Sequence, residues 1–278
     1  MFIANDEFGN KIAIDMASPE GKYYCPICGS QLITKAIGSQ NRAAHFAHKR
    51  NNICLDSWSY DMSEWHRNWQ NFFPINCREV VLEFNGIKHR ADILINNTII
   101  EFQHSPISAQ EISDRNKFYT MLGYDVVWVF DATNRLRNCT DSSINPCDCR
   151  ENDLYWKRKQ TQFSNGIISD VKVFLNYTFQ FIDNEYGLIE DKDTLIQLTE
   201  LTNKEIRFRS SSPFLIEPDN FLKEYGAITD EAIDSITIIF QKADNYRKNQ
   251  QQKTYANLCK KIDSLYNPGK IKNSRIRL

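Results

Sequence analysis

Hydrophobic positions recur at two different periods along this chain, and the change of period divides it. Trp58, Met62, Trp65, Trp69 and Phe72 fall at helical spacing, Asp56 or Ser57 is placed to cap the start, and Pro74 stops the run. Residues 78–84, 89–95 and 98–103 then read as strands, separated by Asn85-Gly86 and Asn96-Asn97, both good hairpin turns. Ser108-Ala109-Gln110-Glu111 has the form of a capping box, the helix it opens runs through Leu122, and Gly123 is placed to end it. A buried strand is expected at 125–130. Farther on the pattern predicts mixed helices, for example over 232–246 and 254–266, ahead of a basic end at Lys270, Lys272, Arg275 and Arg277. The expected divisions are 1–56, 57–150 and 151–278, the last mainly helical and without a catalytic motif.

Composition narrows the class. With 278 residues, 41% hydrophobic and 25% charged, the chain matches ordinary soluble proteins, and no stretch approaches the roughly 20 apolar residues of a bilayer span. Its start carries acidic residues and no basic flank followed by an apolar run, so a cytoplasmic protein with no membrane partner is expected. A net charge of −1 exerts no global pull on nucleic acid, so any such binding must come from local patches. Eight cysteines are too sparse for a secreted disulfide scaffold, and their clustering near histidines suits metal binding.

That clustering is sharpest in the first segment, where Cys25-Pro26-Ile27-Cys28-Gly29 is followed by His45-Phe46-Ala47-His48 and then Cys54. A Cys-x-x-Cys knuckle aims two thiolates at one ion, and zinc needs two further ligands to close a tetrahedron. The preferred set is Cys25, Cys28, His48 and Cys54. A strand through this region points His45 and His48 to opposite faces, with His45 a substitute ligand. A redox pair at Cys25 and Cys28 is the alternative, and it leaves His48 and Cys54 unexplained. A site of this kind supplies folding free energy to a segment too short to bury much apolar surface, so a structural zinc is expected. Cys139, Cys147 and Cys149 lack a convincing fourth ligand for a second site.

The strands carry the second candidate site. If Asn96-Asn97 is a two-residue turn, Ile95 opposes Thr98, Leu94 opposes Ile99, Ile93 opposes Ile100, and Asp92 lies opposite Glu101. Like charges directly opposed destabilise a sheet unless something compensates them, and a divalent cation is the natural compensation. Gln103 shares the face of Glu101, while Ile93, Ile95, Ile100 and Phe102 point to the other face, so one face is expected to be core and the other a site. Oxygen ligands of this type suit magnesium or manganese, with Asp92 and Glu101 as ligands. A merely solvent-facing edge is the competing explanation.

Residues 23–131 resemble the competence CoiA-like nuclease family. The resemblance rests on Cys25-x-x-Cys28, His45-Phe46-Ala47-His48, Glu64-x-His66, Ala91-Asp92, Ile100-Glu101-Phe102-Gln103 and Arg115-x-x-x-Tyr119. It implies DNA handling, as in transformation, recombination or defence against foreign DNA. The order helix, three-strand meander, helix, strand is also that of the PD-(D/E)XK nucleases. The expected fold is therefore α/β, a restriction-endonuclease-like αβββαβ core with a zinc-binding N-terminal module and a mostly helical C-terminal region. By resemblance, Asp92 and Glu101 are the catalytic metal ligands, and Gln103 stands where most nucleases of this superfamily have a lysine. A glutamine can only position groups by hydrogen bonding, so Lys117, His66 or His104 are candidates to supply the missing charge.

Glu64 and His66 resemble a helix motif that completes the metal shell and contacts phosphate or water. Residues two apart on a helix lie about 200° apart, so both cannot face one metal. Arg115 and Tyr119, four apart on one face, can contact a phosphate or hold the strand of Glu101. The expected activity is metal-dependent hydrolysis of DNA, with single-stranded or branched DNA and protein partners in DNA processing as interaction candidates. A DNA-binding accessory protein with a weak or inactive core is the alternative, and an RNA-directed enzyme a third reading.

Overall fold

The computed structural model describes residues 1–39, 42–49, 54, 56, 58, 60, 63–133, 135–138, 154–156, 171–183, 188–198, 215–216 and 218–226. The expected helices over 232–246 and 254–266, the basic end, and Cys139, Cys147 and Cys149 lie outside the described residues.

The first segment folds as five short antiparallel strands, β1 (Ile3–Asn5), β2 (Lys11–Ala13), β3 (Tyr23–Tyr24), β4 (Gln31–Lys35) and β5 (His45–His48), in the order β2-β1-β3-β4-β5. Phe2, Ala4, Ile14, Tyr23, Leu32 and Phe46 form its small core around Cys25.

A seven-stranded sheet follows. Helix α1 (Glu64–Asn71) precedes the meander β6 (Arg78–Phe84), β7 (Ile87–Ile95) and β8 (Thr98–Gln103), and α2 (Ala109–Met121) carries the chain over to β9 (Asp125–Asp131), parallel to β8. Asn85 and Gly86 have φ of 51° and 77°, the left-handed values a two-residue type I′ hairpin requires at both positions. Ser108 caps α2 by accepting the amide of Glu111 at 3.1 Å, and Gly123 ends it with φ of 86°.

Three expectations change. Helix α1 starts at Glu64, seven residues past Ser57. Ser63 is its cap, accepting the amide of His66 at 3.2 Å, while Asp56 spends its carboxylate on the amide of Trp58 and the ring of His89. Trp58 stacks flat on His89, 3.5 Å between centroids, instead of extending the helix. The described part of the region after residue 150 is mainly strand. After β10 (Leu136–Asn138) and β11 (Leu154–Trp156), which form a separate pair, β12 (Lys172–Asp183) joins β9 in parallel, and β13 (Leu188–Leu198) and β14 (Leu215–Ile216) extend the sheet. A short helix, α3 (Pro218–Tyr225), is its one described helix.

The third change concerns the two faces of the sheet. Tyr119, Ile112 and Phe118 of α2 pack with Ile99, Trp128, Val173 and Ile196 on one face. On the other, Trp69 of α1 stacks 5.4 Å from Phe102, and Phe221 of α3 meets Trp69 at 5.9 Å and Phe174 at 5.1 Å. Both faces carry packed helices, as parallel strands require. The candidate carboxylates lie inside.

Candidate functional site

The N-terminal module brings Cys25, Cys28, His48 and Cys54 together, their ligand atoms all within 4.8 Å of one another. A tetrahedral zinc, with bonds of about 2.3 Å to sulfur and about 2.0–2.1 Å to nitrogen, separates two sulfurs by about 3.8 Å and sulfur from nitrogen by about 3.6 Å. Here Cys25 Sγ and Cys54 Sγ are 3.9 Å apart, and Cys28 Sγ lies 3.3 Å from His48 Nε2. The group fits a metal such as zinc. His45 turns away and pairs through Nδ1 with the carbonyl of Ala43 at 2.9 Å. Burial pushes the Cys25 thiol up to about 12, whereas at Cys28 burial is outweighed by hydrogen bonds from Ser30 and His48, which bring it to about 6.

In the large sheet, Ile95, Leu94 and Ile93 pair with Thr98, Ile99 and Ile100, and the next step in that register sets Asp92 against Glu101. The ladder stops there. Instead of a backbone pair, Phe102 N donates to Asp92 Oδ2 at 2.9 Å, and Asp92 N donates to Glu101 Oε1 at 3.3 Å. On the opposite edge of β7, Arg78 pairs with Ile93 and Val80 with Ala91, which sets Glu79 against Asp92. Glu79 has φ of 44°. Three carboxylates thus stand in one row across β6, β7 and β8, with Glu79, Asp92 and Glu101 exposed by 1%, 2% and 1%. Buried like charges in a row are unfavourable, and the sheet parts at the row so that each carboxylate meets its own donors.

Glu79 accepts the amides of Phe2 and Ile3 at 2.7 and 3.1 Å, which ties the N-terminal module to the sheet. Asp92 turns toward α1, where His66 Nε2 lies 3.0 Å and Gln70 Nε2 3.2 Å from its Oδ1. Glu101 turns toward α2. Tyr119 donates its hydroxyl to Oε1 and Arg115 its guanidinium to Oε2, both at 2.7 Å, and Arg115 also pairs with Glu111 at 2.7 Å.

These contacts push the carboxyl groups apart. Burial opposes ionisation of Asp92, but the charge and hydrogen bond of His66 outweigh it and hold the group below the usual carboxylate range. Burial and the neighbouring Asp92 charge raise the Glu101 carboxyl to about 7, against the opposing pull of Arg115. Burial also keeps the Tyr119 hydroxyl protonated, so it donates.

Two carboxylates, with the buried Oε1 of Gln70 lacking a hydrogen-bond partner among the described residues, are oxygen donors of the type a hard divalent cation takes. Among the described residues, the Cys/His group is the one cluster of histidine, cysteine and acidic side chains drawn tightly enough to hold an ion by itself.

The other expected residues separate into those near this row and those apart from it. Gln103 lies on the Glu101 face and donates to the carbonyl of Ser105 at 2.9 Å. His66 reaches Asp92, but Glu64 is half exposed and pairs with Arg67, so it does not join the group, as the helical angle requires. Arg115 and Tyr119, 2% and 0% exposed, are covered and bear on Glu101 rather than on the surface. Lys117 is exposed on α2. Sequence reasoning missed Glu79, although counting back from the Asn85-Gly86 turn sets it against Asp92. It also missed Gln70, one turn after His66 on α1.

The structure defines a Cys/His group able to hold a metal, joined to an α/β sheet that buries a row of carboxylates. The description "Competence protein CoiA, N-terminal domain" matches residues 8–57, and "Competence protein CoiA, nuclease-like domain" matches residues 68–166. Together the two cover more than half of the chain, which belongs to the competence CoiA-like family. No curated protein and no solved structure matches the chain. No described helix is long and apolar enough to cross a membrane.

Proposed function

We propose that this chain is a metal-dependent deoxyribonuclease of the PD-(D/E)XK type, with Asp92 and Glu101 holding magnesium or manganese and Cys25, Cys28, His48 and Cys54 holding a structural zinc. The observation that carries the reading is the pair of buried carboxylates at the point where β7 and β8 part, with one carboxyl held low and the other raised. Such a pair, inside an αβββαβ order and a family described as nuclease-like, suits a divalent ion better than a purely structural role.

When bound, the ion supplies a Lewis acid for a phosphate oxygen. The protein's own part is orientation. His66 and Gln70 fix Asp92, while Tyr119 and Arg115 fix Glu101, so both carboxylates are aimed before substrate arrives. Gln103 offers hydrogen bonds and no charge. DNA, including single-stranded or branched forms, is the proposed partner, and transformation, recombination or defence against foreign DNA the proposed setting.

The test is cleavage of single-stranded, double-stranded and branched DNA, with matched RNA, in Mg²⁺, Mn²⁺ or chelator. Wild type is expected to cut DNA only with metal, and the isosteric Asp92→Asn and Glu101→Gln are expected to lose cutting while keeping zinc and fold. A second reading, a DNA-binding accessory protein, is favoured by Gln103 and by the protein donors already occupying both Glu101 oxygens. DNA binding without cutting, unchanged by chelator, would establish it.

A further inference from the structure

The carboxyl ends of the parallel strands hold an acid–imidazole pair that the carboxylate row does not use. β8 and β9 pair as far as Gln103 with Phe130, which sets the next residues, His104 and Asp131, side by side. His104 Nδ1 lies 2.6 Å from Asp131 Oδ2, and the other oxygen, Oδ1, accepts the amide of Thr133 at 2.9 Å. The aspartate is thus fixed at both oxygens and 8% exposed, while the histidine side chain is 41% exposed. With Nδ1 facing the carboxylate as donor, Nε2 is the ring nitrogen left to accept a proton. No hydrogen-bond partner occupies Nε2 among the described residues.

Helix α1 neighbours both this pair and the acidic site. Trp65 lies 6.2 Å from the His104 ring and is anchored by its Nε1 to Asn176 Oδ1 at 2.8 Å. The next residue on α1, His66, touches Asp92. His104 itself directly follows Gln103. Open parallel sheets bind their ligands at the carboxyl ends of the strands, and here that edge carries an oriented, accessible base.

We infer that His104, oriented by Asp131, is the general base of the phosphodiester hydrolysis, an assignment that rests on the nuclease reading above. A water O–H bond breaks and its proton passes to His104 Nε2. The water oxygen forms the new bond to phosphorus, the P–O bond to the leaving nucleotide breaks, and the departing oxygen takes a proton from solvent. Protonated His104 then returns its proton to solvent. Asp131 keeps the ring in the required tautomer and stabilises the imidazolium, so it is a positioning residue.

The experiment measures DNA cleavage under saturating Mg²⁺ or Mn²⁺ for wild type, Asp92→Asn, His104→Ala and Asp131→Asn, each with and without added imidazole. His104→Ala is expected to lower kcat about 10²–10⁴-fold with KM little changed, as loss of a general base does. Free imidazole is expected to restore the rate of His104→Ala at least about tenfold, and to do nothing for Asp92→Asn or Asp131→Asn. Asp131→Asn is expected to lose about 10²-fold or more while its zinc content and circular dichroism match wild type. Wild-type cutting with an undiminished His104→Ala, or a loss that imidazole does not rescue, overturns the assignment and leaves the nuclease reading standing. Absence of cutting by wild type overturns both.

Discussion

Arg115 is the residue on which the acidic site leans most heavily. Its guanidinium, 2% exposed, bridges Glu101 and Glu111 and lies 5.1 Å above the ring of Trp58. Breaking a buried pair leaves one charge stranded, which costs about 3–5 kcal/mol, so Arg115→Met is expected to lose that much in urea unfolding. Adding Glu101→Gln should recover part of the loss, and a double-mutant cycle reads the coupling. Glu101 also gives the site a pH signature. Its folded value of about 7 lies above its ordinary 4.5, so the stability contributed by the protonated form is complete below about 4.5 and lost as pH rises through about 7. A divalent ion needs the ionised form. Mg²⁺ or Mn²⁺ is therefore expected to raise the melting temperature more at pH 8 than at pH 5, and in Glu101→Gln that difference should shrink to the background.

At the scale of elements, β6, β7, β8 and α2 could be read from the chain because local chemistry specifies them. Asn85-Gly86 sets one hairpin, and the Asn96-Asn97 turn counts Asp92 onto Glu101. The start of α1 was not legible, because Trp58 sits at helical spacing from Trp65 yet is claimed by a long-range stack on His89. The burial of the carboxylates was not legible either. It depends on α1 and α3 covering one face and α2 the other, and nothing local to β7 or β8 records that. The Cys/His group of the N-terminal module was legible from spacing and strand alternation, which bring His48 to the cysteines and leave His45 off them. Purified protein is accordingly expected to bind one equivalent of zinc. Cys28→Ser should lose the ion and destabilise the fold, whereas His45→Ala should keep it, as metal analysis and thermal melting will read.

For the molecule within residues 1–228, the sheet is the common support. Glu79 ties the N-terminal module to β6, and β12, β13 and α3 complete the sheet and its second face. The strands after residue 171 escaped the sequence reading because Val173, Phe174 and Leu175 are buried on both sides of the sheet. A doubly buried strand reads as a continuous apolar run, without the alternation that marks a half-exposed one. Phe221→Ala in α3 is expected to cost about 3–5 kcal/mol and to lower the single unfolding transition of the whole sheet, since its ring packs on Trp69 and Phe174.

The central claim is that Asp92 and Glu101 form one divalent-metal site. It is tested most directly by titrating zinc-loaded protein with Mn²⁺ and following bound ion by electron paramagnetic resonance. One bound Mn²⁺ in wild type and in His104→Ala, lost in both Asp92→Asn and Glu101→Gln with zinc retained, is the predicted result. Equal Mn²⁺ binding in all four proteins, or none in wild type, would contradict the claim.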